Sequence, residues 1–443
     1  MNGLSAIYSR FRVYILNTSW IMGEKFITIG IGFFLTILVA RYLGPETYGI
    51  LAYALSITTI FASAGHMGLG GLVVREIVKN PDTRPETLGT SFGLKLLGYL
   101  GGFLALSIYA LIFEVRGSLE FWVLLVLASS LFFKPFDVVD FWFQAHVQAK
   151  YTAIARSASL LLTAGVKVLL VFGGAELLHF AFANLLQSIL ATCFLLLLFR
   201  ANADISIISC RISLTKAKEF LNQGYVIFFG AIFASIYLKI DQIMLKWFVG
   251  SEEVGIYAVA ASLSEVWYFV PTAIVISLFP KLIHLKQTDP QIFEQRLQQI
   301  FELLFVVALL VALFMSFLAE PLIALFFGQK YLASAPILAI HIWAALFIFM
   351  RAAFSKWILI EDAMVFSLIT QGFGALANVG LNLLFIPRHG GYGAAIATLL
   401  SYAMASYFSL FFYKKSRPIF WMMSKAMLAP VRYPFAYVKT KLS

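Results

Sequence analysis

Gly44-Pro45-Glu46-Thr47-Tyr48-Gly49-Ile50-Leu51-Ala52-Tyr53-Ala54-Leu55-Ser56 has a second, diverged copy in this 443-residue chain. The copy, Gly250-Ser251-Glu252-Glu253-Val254-Gly255-Ile256-Tyr257-Ala258-Val259-Ala260-Ala261-Ser262, aligns without a gap and runs in the same direction. Seven of the thirteen positions are identical, where even this biased composition matches about one or two by chance. Both copies lie between long apolar runs, so the repeated unit is a bundle of membrane helices. Many transport proteins carry such duplicated bundles and handle their solute where the copies meet.

The bulk composition agrees. Hydrophobic residues make up 61% of the chain and charged residues only 12%, about half the charged fraction of a soluble domain. That much apolar surface needs lipid around it. The runs are too long for barrel strands, which alternate over roughly ten residues. The net charge of +11 would suggest nucleic acid in a soluble protein. Here it is read as the basic residues of cytoplasmic loops, and no nucleic-acid partner is expected. Cys193 and Cys210 suggest neither a disulfide framework nor a metal site. Residues 1–20 lack a short apolar core followed by a small-residue cleavage site, so the first helix is expected to stay in the membrane.

A spanning helix takes about twenty mostly apolar residues. Twelve such runs are present, from Tyr14–Ala40 and Tyr48–Leu69 through Phe121–Phe141, Ile256–Phe279 and Ala335–Phe354 to Phe366–Ile386 and Ala394–Phe412. With both termini in the cytoplasm, 23 of the 33 Lys and Arg fall in cytoplasmic segments, five in outside loops and five inside helices. This is the positive-inside bias, and one missed crossing would scramble it. Six crossings separate the two copies, which preserves direction. The expectation is an all-α polytopic protein of two six-helix lobes related by a pseudo-two-fold axis along the membrane normal. Residues 1–199 form the N-terminal lobe, 200–224 a cytoplasmic connector and 225–413 the C-terminal lobe. Residues 414–443, basic and interrupted by Pro418, Pro430 and Pro434, are read as a cytoplasmic, interfacial tail rather than a crossing.

Several further stretches carry a family resemblance. They include Ala40-Arg41-Tyr42-Leu43-Gly44-Pro45-Glu46-Thr47-Tyr48-Gly49 with Val74-Arg75-Glu76, and Pro135-Phe136-Asp137 through Phe141-Trp142-Phe143-Gln144 to Lys150-Tyr151. Others are Asp241-Gln242-Ile243-Met244-Leu245, Leu278-Phe279-Pro280-Lys281, Asn382-Leu383-Leu384-Phe385-Ile386-Pro387 and Gly393-Ala394-Ala395-Ile396-Ala397-Thr398. In this joint order the chain resembles the Wzx-type flippases, polysaccharide transporters of the multidrug/oligosaccharidyl-lipid/polysaccharide exporter superfamily. The resemblance implies transfer of an undecaprenyl-pyrophosphate-linked oligosaccharide, such as an O-antigen repeat unit of lipopolysaccharide, from the cytoplasmic to the periplasmic leaflet of the inner membrane. It also implies a V-shaped pair of lobes around a central cavity, alternating access, and polymerase and chain-length proteins as partners in the same pathway.

Five intramembrane lysines are the main chemical clue. Each costs about 2.5–3.5 kcal/mol at the bilayer centre, so together they must pair, reach the surface or line a wet cavity. Lys95 and Lys134 lie near cytoplasmic helix ends and are placed to snorkel, with a place in the substrate-binding cationic cavity as the alternative. Lys25, Lys167 and Lys239 are deeper, and are read as a cationic cavity for a pyrophosphate, whose oxygens accept charge-assisted hydrogen bonds. A structural ion pair is the alternative for each. Glu24, Asp137 and Asp241 accompany them, as proton- or sodium-coupling groups or as neutralising partners; only Lys134–Asp137 has the i,i+3 spacing of a same-face pair. Gln371, Asn378 and Asn382 share a helix face and suit either sugar hydroxyls or interhelical hydrogen bonds. Ser235, Lys239 and Gln242 share another face. His341, inside a helix, is read as a core histidine or a proton relay. Gly65, Gly68, Gly70 and Gly71 are read as close packing or bending.

No metal-ligand spacing and no phosphate-cradling glycine loop with a following lysine is present, so no cofactor is expected. Energy would come from an ion gradient or from consumption of product. The chain is read as a transporter and not an enzyme. A cation-coupled multidrug exporter and a lipid II flippase are the alternatives within transport. A polysaccharide polymerase or ligase would be expected to carry a large outside loop, and none is apparent.

Overall fold

The computed structural model describes residues 2–205 and 211–432; Cys210, Pro434 and the end of the tail lie outside the described residues. The described residues are helical throughout, with no strand. In chain order the helices are α1 Asn2–Ser63, α2 Gly70–Lys79, α3 Arg84–Phe113, α4 Leu119–Ser129, α5 Val138–Ala145, α6 Ala149–Phe172, α7 Leu177–Asn202 and α8 Leu214–Phe248. They continue as α9 Ser251–Glu265, α10 Phe269–Thr288, α11 Pro290–Phe317, α12 Ala319–Phe326, α13 Ser334–His341, α14 Ala345–Ile360, α15 Met364–Ala403, α16 Ser409–Phe412 and α17 Arg417–Met427.

Ten continuous helical segments among the described residues are long and apolar enough to cross a membrane. Twelve runs were expected, and the difference has a backbone cause. Two of the ten segments, Ile15–Lys79 and Met364–Phe412, span 65 and 49 residues, far beyond the roughly twenty that a bilayer needs. Each contains a break, at Gly44 (φ 74°, ψ 170°) in α1 and at Gly390 (φ 52°, ψ −135°) in α15. Such dihedrals are reached almost only by glycine. Divided there, the ten segments become twelve. Gly250, the repeat counterpart of Gly44, also has positive φ (127°) and stands immediately before α9. The shared glycine therefore serves the same turn into a buried helix in both copies.

Three expected spans are interrupted rather than continuous. Short 3₁₀ turns at 130–132 and 134–137 separate α4 from α5, and similar turns separate α9 from α10 and α13 from α14. At the first, Pro135 lies in the 3₁₀ turn, where its missing N–H and its ring oppose continuation of an α-helix.

The chain forms two compact units, Met1–Ser235 and Ile236–Ser443. The division falls inside α8, past residue 225, where the C-terminal lobe was expected to begin. The connector and the first part of α8 are held by the N-terminal unit. Lys216 Nζ lies 3.5 Å from Glu76 Oε1 and donates to Thr87 Oγ1 at 2.8 Å, and Arg75 Nη2 donates to Gln223 Oε1 at 2.7 Å. Gly68 (φ 66°) touches the Gly224 backbone so closely that a Cβ would overlap its carbonyl oxygen. Of the two roles expected of that glycine cluster, close packing or bending, Gly65 and Gly68 serve close packing, Gly65 against the Tyr99 ring, whereas a Cβ at Gly71 would meet no atom within 4 Å.

In the N-terminal unit, Leu69, Val73, Ile77, Trp142, Phe143 and Phe199 form an apolar core. In the C-terminal unit a larger core joins α10, α11 and α14, including Phe301, Phe349, Phe354 and Met350. The described part of the tail extends that core. Pro418 opens α17, whose Ile419, Met423 and Ala426 are buried while Trp421 is exposed. At 11 residues α17 is too short to cross.

Candidate functional site

The N-terminal unit contains a cavity of about 530 Å³. Its charged wall residues are Glu24, Lys134, Asp137 and Arg156, with His66 beside them. Lys134 and Asp137 reach it because both sit on the 3₁₀ turn before α5. Three residues per turn places i and i+3 directly above one another, and both line the cavity. No ion pair joins them among the described residues, so both charges face the open volume.

Arg156, on α6, is anchored from behind. Its Nη2 lies 3.0 Å from Asp140 Oδ2, and the buried Asp140 also accepts from Thr152 Oγ1 at 2.7 Å and Gln144 Nε2 at 3.0 Å. Glu24 accepts from Thr28 Oγ1 at 3.3 Å. Asn184, Gln187 and Ser188 of α7, and Ser159 of α6, add neutral polar groups. The wall is amphoteric, two cations facing two carboxylates.

The five lysines have different fates. Lys134 lines the cavity. Lys95 does not snorkel: it is 3% exposed and lies 4.9 Å from the Phe141 ring centroid and 5.9 Å from that of Tyr99. α3 begins at Arg84, so Lys95 is three turns inside it and enclosed by aromatics. Lys167 donates to Asn184 Oδ1 at 3.0 Å, placing it one hydrogen bond behind the wall. Lys25 is exposed and is not part of this wall. Lys239 belongs to the C-terminal unit, where its Nζ is 3.3 Å from Glu265 Oε2, with both side chains partly buried.

Asp241 does not neutralise Lys239. It is 3% exposed and accepts from Tyr257 OH at 2.7 Å, Thr398 Oγ1 at 2.6 Å and Asn382 Nδ2 at 2.5 Å. Helices α8, α9 and α15 thus converge on one carboxylate through neutral donors. Asn382 Nδ2 also reaches Asn378 Oδ1 at 3.1 Å, and Asn378 Nδ2 reaches Ser401 Oγ at 3.3 Å. Asn378 and Asn382 are fully buried and serve interhelical hydrogen bonds; Gln371 stands apart, with Ser367 Oγ 3.4 Å away. Asn382 Oδ1 and His341 Nδ1 are buried without a partner, and the His341 ring packs edge-on to Tyr257 at 5.8 Å. Gln242 is buried, whereas Ser235 lines the N-terminal cavity, so their shared helical face serves two units.

Three participants escaped the sequence reading. Glu265 is an acid inside an apolar run, and a search for such acids would have found it. Arg156 and Arg351 were counted with cytoplasmic charges, yet α6 and α14 extend past them. Arg351 Nη1 is buried without a partner. Among the described residues no group of three His, Cys, Asp or Glu could hold a metal ion.

Comparison with known proteins places this architecture. A family model described as "Polysaccharide biosynthesis protein" matches residues 15–286. The chain is 25% identical over 390 residues to a "Probable flippase AglR" of Haloferax volcanii, covering 85% of this chain and 78% of that protein. Among solved structures, it is similar to the lipid II flippase MurJ in an inward closed conformation (TM-score 0.71, 15% identity, 95% of this chain and 93% of that one). An inward-facing multidrug resistance MATE transporter of the MOP superfamily follows the same fold (TM-score 0.63, 15% identity, 92% and 96% covered). The two-lobed MurJ/MATE-like fold thus accommodates a sequence whose matched residues make up more than half the chain, and this multi-pass membrane protein belongs to the polysaccharide biosynthesis protein family.

Proposed function

We propose that the protein moves a lipid-linked oligosaccharide, carried on undecaprenyl pyrophosphate, from the cytoplasmic to the periplasmic leaflet by alternating access. The observation that carries this reading is the amphoteric cavity, lined by charged and neutral polar groups, inside an apolar helical unit. Lys134 and Arg156 would meet the pyrophosphate, and Asn184, Gln187 and Ser188 the sugar hydroxyls. Glu24 and Asp137 would keep the phosphates from binding too tightly to be released. The probable flippase of Haloferax volcanii supports the same class of substrate movement.

Asp241 is assigned to coupling. Its three hydrogen-bond partners are neutral donors, and a monovalent cation bound there would supply the counter-charge that a buried carboxylate needs. The unpartnered Asn382 Oδ1 is a second oxygen at the same place.

Reconstituted vesicles holding a fluorescent undecaprenyl-pyrophosphate glycan test both assignments. Lys134→Gln should lower transfer by at least about tenfold, the worth of one charge-assisted hydrogen bond of 1.5–3 kcal/mol. Asp241→Asn should leave residual transfer that no longer responds to a proton or sodium gradient. Unchanged transfer in Lys134→Gln removes this cavity as the substrate site. The carboxylates Glu24 and Asp137 favour one second reading, a cation-coupled exporter; movement of an organic cation but not of the glycan would establish it.

A further inference from the structure

The C-terminal unit has a second crevice, of about 300 Å³, between α10 and α11. Leu278, Leu285, Ile300 and Leu303 form its apolar walls, and Lys281, Arg296 and Gln299 supply its polar lining. No carboxylate lines it. Lys281 has no ion-pair partner among the described residues, and Arg296 only donates to Gln299 Oε1 at 2.8 Å.

The hairpin sets these residues at one depth. Asp289 caps α11 at the tip, its Oδ1 accepting from Ile292 N at 3.0 Å. Lys281 lies eight residues before it and Arg296 seven after, which puts both about 10–12 Å from the tip at 1.5 Å per residue. Leu278 and Leu303 are farther from the tip on either helix.

An independent element marks that depth as the headgroup layer. Gln298, between Arg296 and Gln299, donates to the Met422 carbonyl at 3.2 Å, so α17 lies level with the crevice. α17 buries Ile419 and Met423 while exposing Trp421, Lys425 and Arg417. An amphipathic helix with an exposed tryptophan and basic residues occupies a membrane interface. The charge distribution of the loops assigns this end to the cytoplasm.

We infer that the α10–α11 crevice is a binding site for an anionic phospholipid of the cytoplasmic leaflet. Lys281, Arg296 and the Gln299 amide hold the headgroup phosphate, and the leucines take the start of one acyl chain. Two cations and one amide match a single phosphodiester. The site is independent of the transported substrate.

The test uses the full-length protein in nanodiscs of equal phosphatidylglycerol and phosphatidylcholine, with retained lipids counted by native mass spectrometry. Wild type should retain phosphatidylglycerol preferentially. Each cation removed should lower that preference about fivefold, in Lys281→Gln and more in the Lys281→Gln/Arg296→Gln pair. Lys281→Arg should keep it, and Lys414→Gln/Lys415→Gln, on the neighbouring basic segment, should barely change it. An unchanged preference in the Lys281/Arg296 pair overturns the proposal, as does an equal loss in the Lys414/Lys415 pair. Displacement of phosphatidylglycerol by equimolar undecaprenyl pyrophosphate would also overturn it, assigning the crevice to the carrier lipid. The exposed lysine and arginine contribute little to folding, and Lys281→Glu repeats the test by charge reversal.

Discussion

Lys239 and Asp241 stand two positions apart on α8, yet they have separate partners. Lys239 meets Glu265 with both side chains partly exposed, so loss of either charge should cost about 1–3 kcal/mol, between a surface and a buried pair. Lys239→Gln and Glu265→Gln should each lower the melting temperature, and the double variant should regain most of the loss. Lys239→Gln should also lower export, and the double variant separates the roles: export regained means that Lys239 only balances Glu265, and export still lost means that it meets substrate. Asp241 differs because its three donors are neutral. Asp241→Leu would strand the Tyr257, Thr398 and Asn382 donors at about 1–3 kcal/mol each and should abolish membrane accumulation, whereas Asp241→Asn should accumulate normally. Lys95→Met should leave the melting temperature unchanged or raised. The cation–π contacts it loses, about 0.5–2 kcal/mol, are offset by removing a charge from an apolar site.

Among the elements, the 3₁₀ turn Lys134–Asp137 and the repeated glycine turns carry the most specific geometry. Pro135→Ala removes the obstacle to a continuous helix. At 3.6 residues per turn, i and i+3 diverge by about 60°, so Lys134 and Asp137 should no longer line the cavity together. Glycan transfer should fall while helix content by circular dichroism holds. At Gly44 and Gly250 a Cβ would meet no atom within 4 Å, so substitution penalises the backbone alone. Gly44→Ala and Gly250→Ala should each cost about 1–3 kcal/mol, read as lower melting temperatures of similar size. Unequal costs would show that the copies no longer share one turn.

At the scale of the molecule, an even number of crossings should place residues 84 and 288 on one side and residues 117, 250 and 328 on the other. Single cysteines at these positions, with Cys193 and Cys210 replaced by serine, should label from opposite sides with an impermeant thiol reagent. Labelling of 117 and 288 from the same side would break the twelve-crossing arrangement. The crossings were legible because hydropathy, loop charge and the copied segment are local or periodic properties of the chain. The site was only partly legible. Lys134, Glu24 and Asp137 were picked out and do reach one cavity, but Arg156, three residues past the start of its expected apolar run at Ala153, was counted with the cytoplasmic charges. Lys95 was assigned a route to the surface that Phe141, 46 residues away in sequence, closes off.

Membrane insertion, all-helical architecture and duplication are written in composition and order, because each residue's transfer into lipid is decided largely one segment at a time. Partner choice is different in kind. Asp241 gains Asn382 and Thr398 from 141 and 157 residues away, and Lys239 turns to Glu265 rather than to its near neighbour. Such pairings depend on which helix faces meet, and that is a property of packing in three dimensions.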